Sequence, residues 1–187
     1  MKKARRLRVG NGMRWMKYPP VLFGVDQATS GPTGIVVARY HVGHGAETLE
    51  AETVTGVTEI ADYLYDFAIN HRGYPLGIAT EAGYFSPMTP RAGLTTEHSG
   101  GWIEGIAEIF MVMGMWRRPI LIRSYKAPQW RSIFGNTGCR TTADWKDWIM
   151  LWTQDDPLIR DHHQADAKGI LSKLGQDLTN EGVIGCD

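Results

Sequence analysis

Cysteine is nearly missing from this chain: there are two in 187 residues, Cys139 and Cys186. They stand far from the C-x-x-C spacing of zinc and redox sites, and two are too few for a disulfide framework, so a reducing cytoplasm is the expected setting. No apolar stretch reaches the ~18 residues that cross a bilayer, so no membrane association is expected. Internal repeats and low-complexity segments are also wanting. Acidic residues are absent from the first seventeen positions, which hold Lys2, Lys3, Arg5, Arg6, Arg8, Arg14 and Lys17. That arm has no apolar core of the kind a secretory signal needs, although an Arg-rich, acid-free start also suits a mitochondrial transit peptide. The formal net charge is zero, so beyond the arm thirteen basic residues face twenty acidic ones. A basic arm on an acidic body is a handle for a polyanion such as nucleic acid. A disordered, solubilising tail accounts for the same charges equally well.

What is present fits one domain of ordinary size with enough apolar content for a core. The expected division is a basic arm over 1–20, a folded domain over 21–174 and a C-terminal tail over 175–187. Pro19-Pro20 closes the arm, and the apolar run 21–26 reads as a first strand. Gly31-Pro32 turns the chain into a second strand over 34–40, and a more alternating third runs through about 47–55. Thr58 is placed to cap a helix over 59–71 that turns Ile60, Leu64 and Phe67 inward. A buried strand over 76–80 follows. The Gly-, Pro- and Thr-rich stretch 82–98 reads as a long loop, a length that suggests a binding role. From Ser99 or Gly100 to about 115 the spacing predicts a helix with little polar face, carrying Trp102, Ile103, Ile106, Ile109, Phe110 and Met113. A fifth strand over 119–123, a short helix from Pro128, a helix capped by Thr142 and a last helix from Asp161 or His162 to about 174 complete the order. This βββαβαβααα pattern predicts an α/β fold, a mixed sheet with helices around it.

Acids stand at two strand ends. Asp26 closes Val21-Leu22-Phe23-Gly24-Val25, and Glu81 closes Leu76-Gly77-Ile78-Ala79-Thr80. Carboxylates are costly to bury unless a cation or hydrogen bonds compensate, and strand ends are where α/β sheets bind ligands. His163 and Asp166, three apart on the last helix, project from one face. Three anionic groups and an imidazole from distant segments suggest a shared site for Mg²⁺ or Mn²⁺. Two such ions ~3.5–4 Å apart would clamp the attacking and leaving oxygens of a phosphoryl transfer. Taken singly, each residue has a plainer explanation: Asp26 as a turn residue, Asp161 as a helix cap.

The segment from Gly24-Val25-Asp26-Gln27-Ala28-Thr29-Ser30 to Thr33-Gly34-Ile35-Val36, the Thr80-Glu81 strand end and His163-Gln164-Ala165-Asp166-Ala167 together resemble the acidic motifs of RuvC-type Holliday junction resolvases. The similarity spans about residues 21–174 and is nearest to the compact phage and bacterial versions. It implies an RNase H-like domain with a five-stranded mixed sheet, acting as a homodimer that nicks four-way DNA junctions with metal ions. It implies a bacterial or phage-infected cytoplasm as the setting. Carried over, Asp26, Glu81, His163 and Asp166 form the metal-binding and catalytic set. Many members have Asp where His163 stands, which removes one negative charge and leaves the metal preference open. The resemblance also puts a base-stacking aromatic three residues after Glu81, at Tyr84, with Phe85 as its neighbour and substitute. It expects a basic residue after the fifth strand, and Lys126 is the preferred one.

Arg123, Lys126, Arg131 and Arg140 are all candidates for DNA phosphate contacts, against the commoner role of solvated surface charge. Trp145, Trp148 and Trp152 share a helix face, and core packing accounts for them better than base stacking. The apolar 99–115 helix is the expected dimer surface. Two other functions fit the residues: a less selective nuclease of the same fold, acting on flaps, branched DNA or RNA–DNA hybrids, and a junction-binding protein without catalysis. The first motif is also similar to the phosphate-binding turn of sugar kinases and actins, but those need a second lobe of comparable size.

Overall fold

Continuous apolar runs and alternating ones sort the strands into centre and edge. In the computed structural model, β1 (Val21–Asp26) is buried on both faces and lies in the middle of a five-stranded sheet of order β3-β2-β1-β4-β5. The structure describes residues 19–27, 31–71, 74, 76–82, 90–114 and 121–184, without the side chains of 57, 76 and 90–100. Residues 1–18 of the basic arm, Tyr84, Phe85 and Cys186 lie outside the described residues. β2 (Thr33–His41) pairs antiparallel with β1 and with β3 (Gly45–Val54), whose part-exposed pattern suits an edge. β4 (Leu76–Glu81) and β5 (Leu121–Tyr125) run parallel to β1.

Successive side chains of a strand face opposite sides, and β1 uses both. Val21, Phe23 and Val25 pack with Ile35, Val37 and Ile78 under α1 (Val57–Asn70) and α2 (Pro90–Val112), meeting Leu64, Phe67, Ile103 and Ala107. Leu22, Val36, Ala38 and Ala79 face the other way. There they meet α3 (Ala127–Arg131, continued by a 3₁₀ turn over Ser132–Phe134), α4 (Thr142–Trp152) and α5 (His162–Asn180). The helix α5 lies across β1, β2, β3 and β4.

Element order agrees with the sequence expectation, and boundaries differ. The largest correction is α2: it starts at Pro90, so residues 90–98 are helical where a loop is expected. Proline at a helix start has no N–H to leave unpaired. Docking of Ile103 and Ala107 in the core outweighs the poor propensity of the glycines and threonines before them. Gly56, at φ 111°, takes the capping position of α1 in place of Thr58, and Thr141 rather than Thr142 caps α4, its side chain accepting from the Asp144 N–H at 3.1 Å. β5 is described from Leu121 and ends two residues later than expected. The helix α5 runs on to Asn180, six residues into the expected tail, because Leu174 and Leu178 continue its buried stripe. Among the described residues no helix is long and apolar enough to cross a membrane.

Candidate active site

The two central parallel strands end side by side. Val25 is in register with Thr80, so the next residues, Asp26 and Glu81, emerge together at the carboxyl end of the sheet. The start of α5 is brought over this edge by two absent side chains. A Cβ on Gly34 would stand 2.1 Å from the His163 carbonyl oxygen, and one on Gly24 would stand 2.3 Å from that of Ala167. Only glycine lets the helix backbone come this close to β1 and β2.

The rotation of α5 is fixed at its first turn. Asp161 caps it, accepting from the Gln164 N–H at 3.0 Å and from the Thr53 hydroxyl of β3 at 2.6 Å. The Gln164 amide nitrogen donates in turn to Thr53 Oγ1 at 3.1 Å. Burial works against the Asp161 charge, but the Thr53 bond and the backbone N–H groups of Gln164 and His163 hold its pKa below the usual value. Locked this way, the helix turns His163 and Asp166 toward the strand ends.

There His163 Nδ1 lies 3.1 Å from Asp26 Oδ2. The bond to Asp26 raises the imidazole pKa despite partial burial. Asp166 is 8% exposed, and its Oδ1 accepts from the Trp145 indole N–H at 2.9 Å. Burial, then the charge of Asp26, pushes the Asp166 carboxyl up to about 7, against the pull of the Trp145 bond and of Arg131. Glu81 goes further. Burial, then the charges of Asp26 and Asp166, push it up to about 8, with Arg131 opposing and a hydrogen bond to Asp26 assisting. The Gln27 amide donates to the Glu81 carbonyl and ties the two strand ends together.

All four expected acidic-site residues are therefore neighbours. Among the described residues, no three His, Cys, Asp or Glu side chains already form a cage for an ion. Asp26 is engaged by His163, and Asp166 by Trp145. The donor set nevertheless suits a hard divalent cation: clustered carboxylate oxygens whose proton affinities are raised first by burial and then by one another's charge. A cation is the natural replacement for the protons.

The basic candidates separate. Arg131 lies within electrostatic reach of Glu81 and Asp166, its guanidinium carbon 4.5 Å from the Trp145 ring centroid. With Arg140 and Trp145 it lines a polar cavity of about 420 Å³. Lys126 is exposed just past Tyr125, the β5 partner of Glu81. Arg123 lies at another place, bound through both terminal nitrogens to Glu181 at 2.8 and 2.6 Å near the far end of α5. Sequence reasoning missed Trp145 as a partner of Asp166. Its spacing with Trp148 and Trp152 marks an apolar face, on which Trp145 is buried and Trp152, against the core-packing expectation, is exposed. Nothing in that pattern reveals where one indole N–H points.

No protein-family model matches this chain, and no curated protein sequence does. Solved structures do. Thermus thermophilus RuvC is similar over 87% of this chain and 97% of its own, with a TM-score of 0.57 and 18% identity. The same protein in complex with a Holliday junction substrate superposes with a TM-score of 0.56 at 16% identity, over the same shares of the two chains. The yeast mitochondrial Holliday junction resolvase Ydc2 covers 85% of this chain and 81% of its own, with a TM-score of 0.52 and 11% identity. With strand order β3-β2-β1-β4-β5 and acids at the paired strand ends, the chain has the RNase H-like fold of the RuvC-type resolvases.

Proposed function

We propose that this protein is a divalent-metal-dependent endonuclease that resolves four-way DNA junctions by paired nicks. The observation that carries the reading is the crowding of Asp26, Glu81 and Asp166, with two carboxyls pushed to about 8 and about 7 in a fold shared with junction resolvases. Asp26, Glu81, Asp166 and His163 would hold Mg²⁺ or Mn²⁺, two ions per site. Such ions, when bound, neutralise charge on the phosphate under attack and ease removal of a proton from water. His163, sharing a proton with Asp26, is placed to ligate or to act as a general base. Hydrolysis would leave a 5′-phosphate and a 3′-hydroxyl.

Lys126, Arg131 and Arg140 are suited to backbone phosphates, and Tyr84 with Phe85 to stacking on an opened base. Pairing of the cuts calls for two sites. On α2, Trp102, Ile109 and Val112 are 47%, 57% and 88% exposed, and Met113 just past its end is 68% exposed, a row that supports a homodimer seam. A two-fold dimer would set its sites on opposed strands of a two-fold junction.

The test is incubation with synthetic four-way junctions, flaps, RNA–DNA hybrids and duplexes, with and without Mg²⁺ or Mn²⁺. Symmetric nicks in the junction, dependent on metal, are expected. Equal cutting of hybrids or duplexes replaces the reading with an unselective nuclease, and tight junction binding without cutting replaces it with a binding protein.

A further inference from the structure

Trp145 is a buried aromatic with a role that packing does not explain. It lies on α4, an element apart from the three that supply the acidic residues, and its ring sits among Trp130, Phe134 and Trp148. A tryptophan in such a cluster has one polar atom to satisfy. Here that atom is 2.9 Å from Asp166 Oδ1, in a buried contact 21 residues away in sequence. An indole can only donate and a carboxylate oxygen only accepts, so the bond fixes which oxygen of Asp166 is taken. Among the described residues no hydrogen bond reaches Oδ2. The guanidinium of Arg131 lies against the same indole, 4.5 Å from its ring centroid. A cation on the ring face draws electron density from it and strengthens the N–H as a donor.

Resting on the metal-dependent reading of this site, we infer that Trp145 is a positioning residue, whose indole N–H holds Asp166 by Oδ1 so that Oδ2 is presented to a divalent cation. It touches neither cation nor DNA and acts through Asp166. Partners of this kind orient the ligands of metal sites, and their loss typically costs about 10–100-fold in metal affinity or activity.

Trp145→Phe keeps a ring in the cluster and removes the donor. Trp148→Phe is the matched control. Trp148 stacks on Trp145, centroids 5.3 Å apart at 28°, so its replacement disturbs the same cluster and spares the bond to Asp166. Mn²⁺ binding to the full chain is titrated directly by electron paramagnetic resonance, without DNA. Trp145→Phe should lose affinity by roughly 10-fold, and Trp148→Phe should match the parent. In cleavage, Trp145→Phe should need more Mn²⁺ and recover most of its rate when the metal saturates, while its metal-free junction affinity stays at the parent level. If Trp145→Phe does not fold, β-(3-benzothienyl)alanine at position 145 substitutes sulfur for the N–H in a ring of the same shape. Unchanged Mn²⁺ affinity in the donor-less variant overturns the inference, and so does an equal loss in Trp148→Phe. A parent that binds Mn²⁺ yet leaves junctions intact removes the proposed function, while the variants still decide the role of Trp145. A parent that binds no Mn²⁺ overturns both.

Discussion

Asp26 touches every other member of the acidic cluster, through a hydrogen bond to His163 and through its charge on Glu81 and Asp166. Asp26→Asn should therefore abolish cutting and leave junction affinity largely intact, as a gel-shift beside a cleavage assay would show. The cluster also makes stability depend on pH. Glu81 and Asp166 have folded pKa values of about 8 and about 7, raised from 4.5 and 3.8. A raised carboxyl pKa means that the folded state holds its proton longer than the unfolded one. Stability from these two groups is fully present below about pH 4 and is lost as pH rises through 7 and 8. His163, also raised, acts in the same direction, its contribution lost as pH rises through its folded pKa. Metal-free protein should thus melt at a lower temperature at pH 8.5 than at pH 6. Mn²⁺ should restore more at the higher pH, and Asp26→Asn should flatten the slope. Calorimetry in chelator and in Mn²⁺ checks all three. The identities of these acids were legible in the sequence, because carboxylates closing apolar runs are conspicuous. Their partners were not: which atom of Asp166 is held, and by what, depends on a side-chain direction that spacing does not encode.

Glycine spacing and a helix cap, rather than the acids themselves, place α5 over the strand ends. Gly34→Ala would drive a methyl group into the His163 backbone, where no flexible side chain can give way. It should cost about 1–3 kcal/mol of overpacking and lower the cutting rate further than the lost stability accounts for, since His163 moves with the backbone. Denaturant melts alongside single-turnover rates would separate the two effects. Asp161→Ala removes the cap and the bond to Thr53 and should cost ~1 kcal/mol. The buried central strands β1 and β4 and the start of α5 were readable, because apolar runs and capping residues are local signals. The early turns of α2 were not. A Gly- and Thr-rich stretch looks like a loop until it is known that Ile103 and Ala107, further along the same helix, are anchored under the sheet.

For the molecule as a whole, the exposed apolar row on α2 sets the next expectation. Val112→Glu combined with Ile109→Glu should yield a monomer by sedimentation velocity. On a junction, that monomer's two nicks should fall out of step, giving singly nicked intermediates. The same helix was expected from sequence to be apolar nearly all round. One side of it packs Ile103 and Ala107 into the core, and the apolar surplus, Trp102, Ile109 and Val112 among it, stays exposed. Another property follows from the docking of α5. Asp26 and His163 are 137 positions apart, and β1 is made long before α5. At typical synthesis rates of about 5–20 residues per second, roughly ten seconds pass between the two. Throughout that interval a nascent chain has its central strand but lacks half of the site. On the proposed function, the cutting centre thus cannot form on the ribosome until α5 has emerged and settled on the sheet, and chains broken off before that point would carry only part of it.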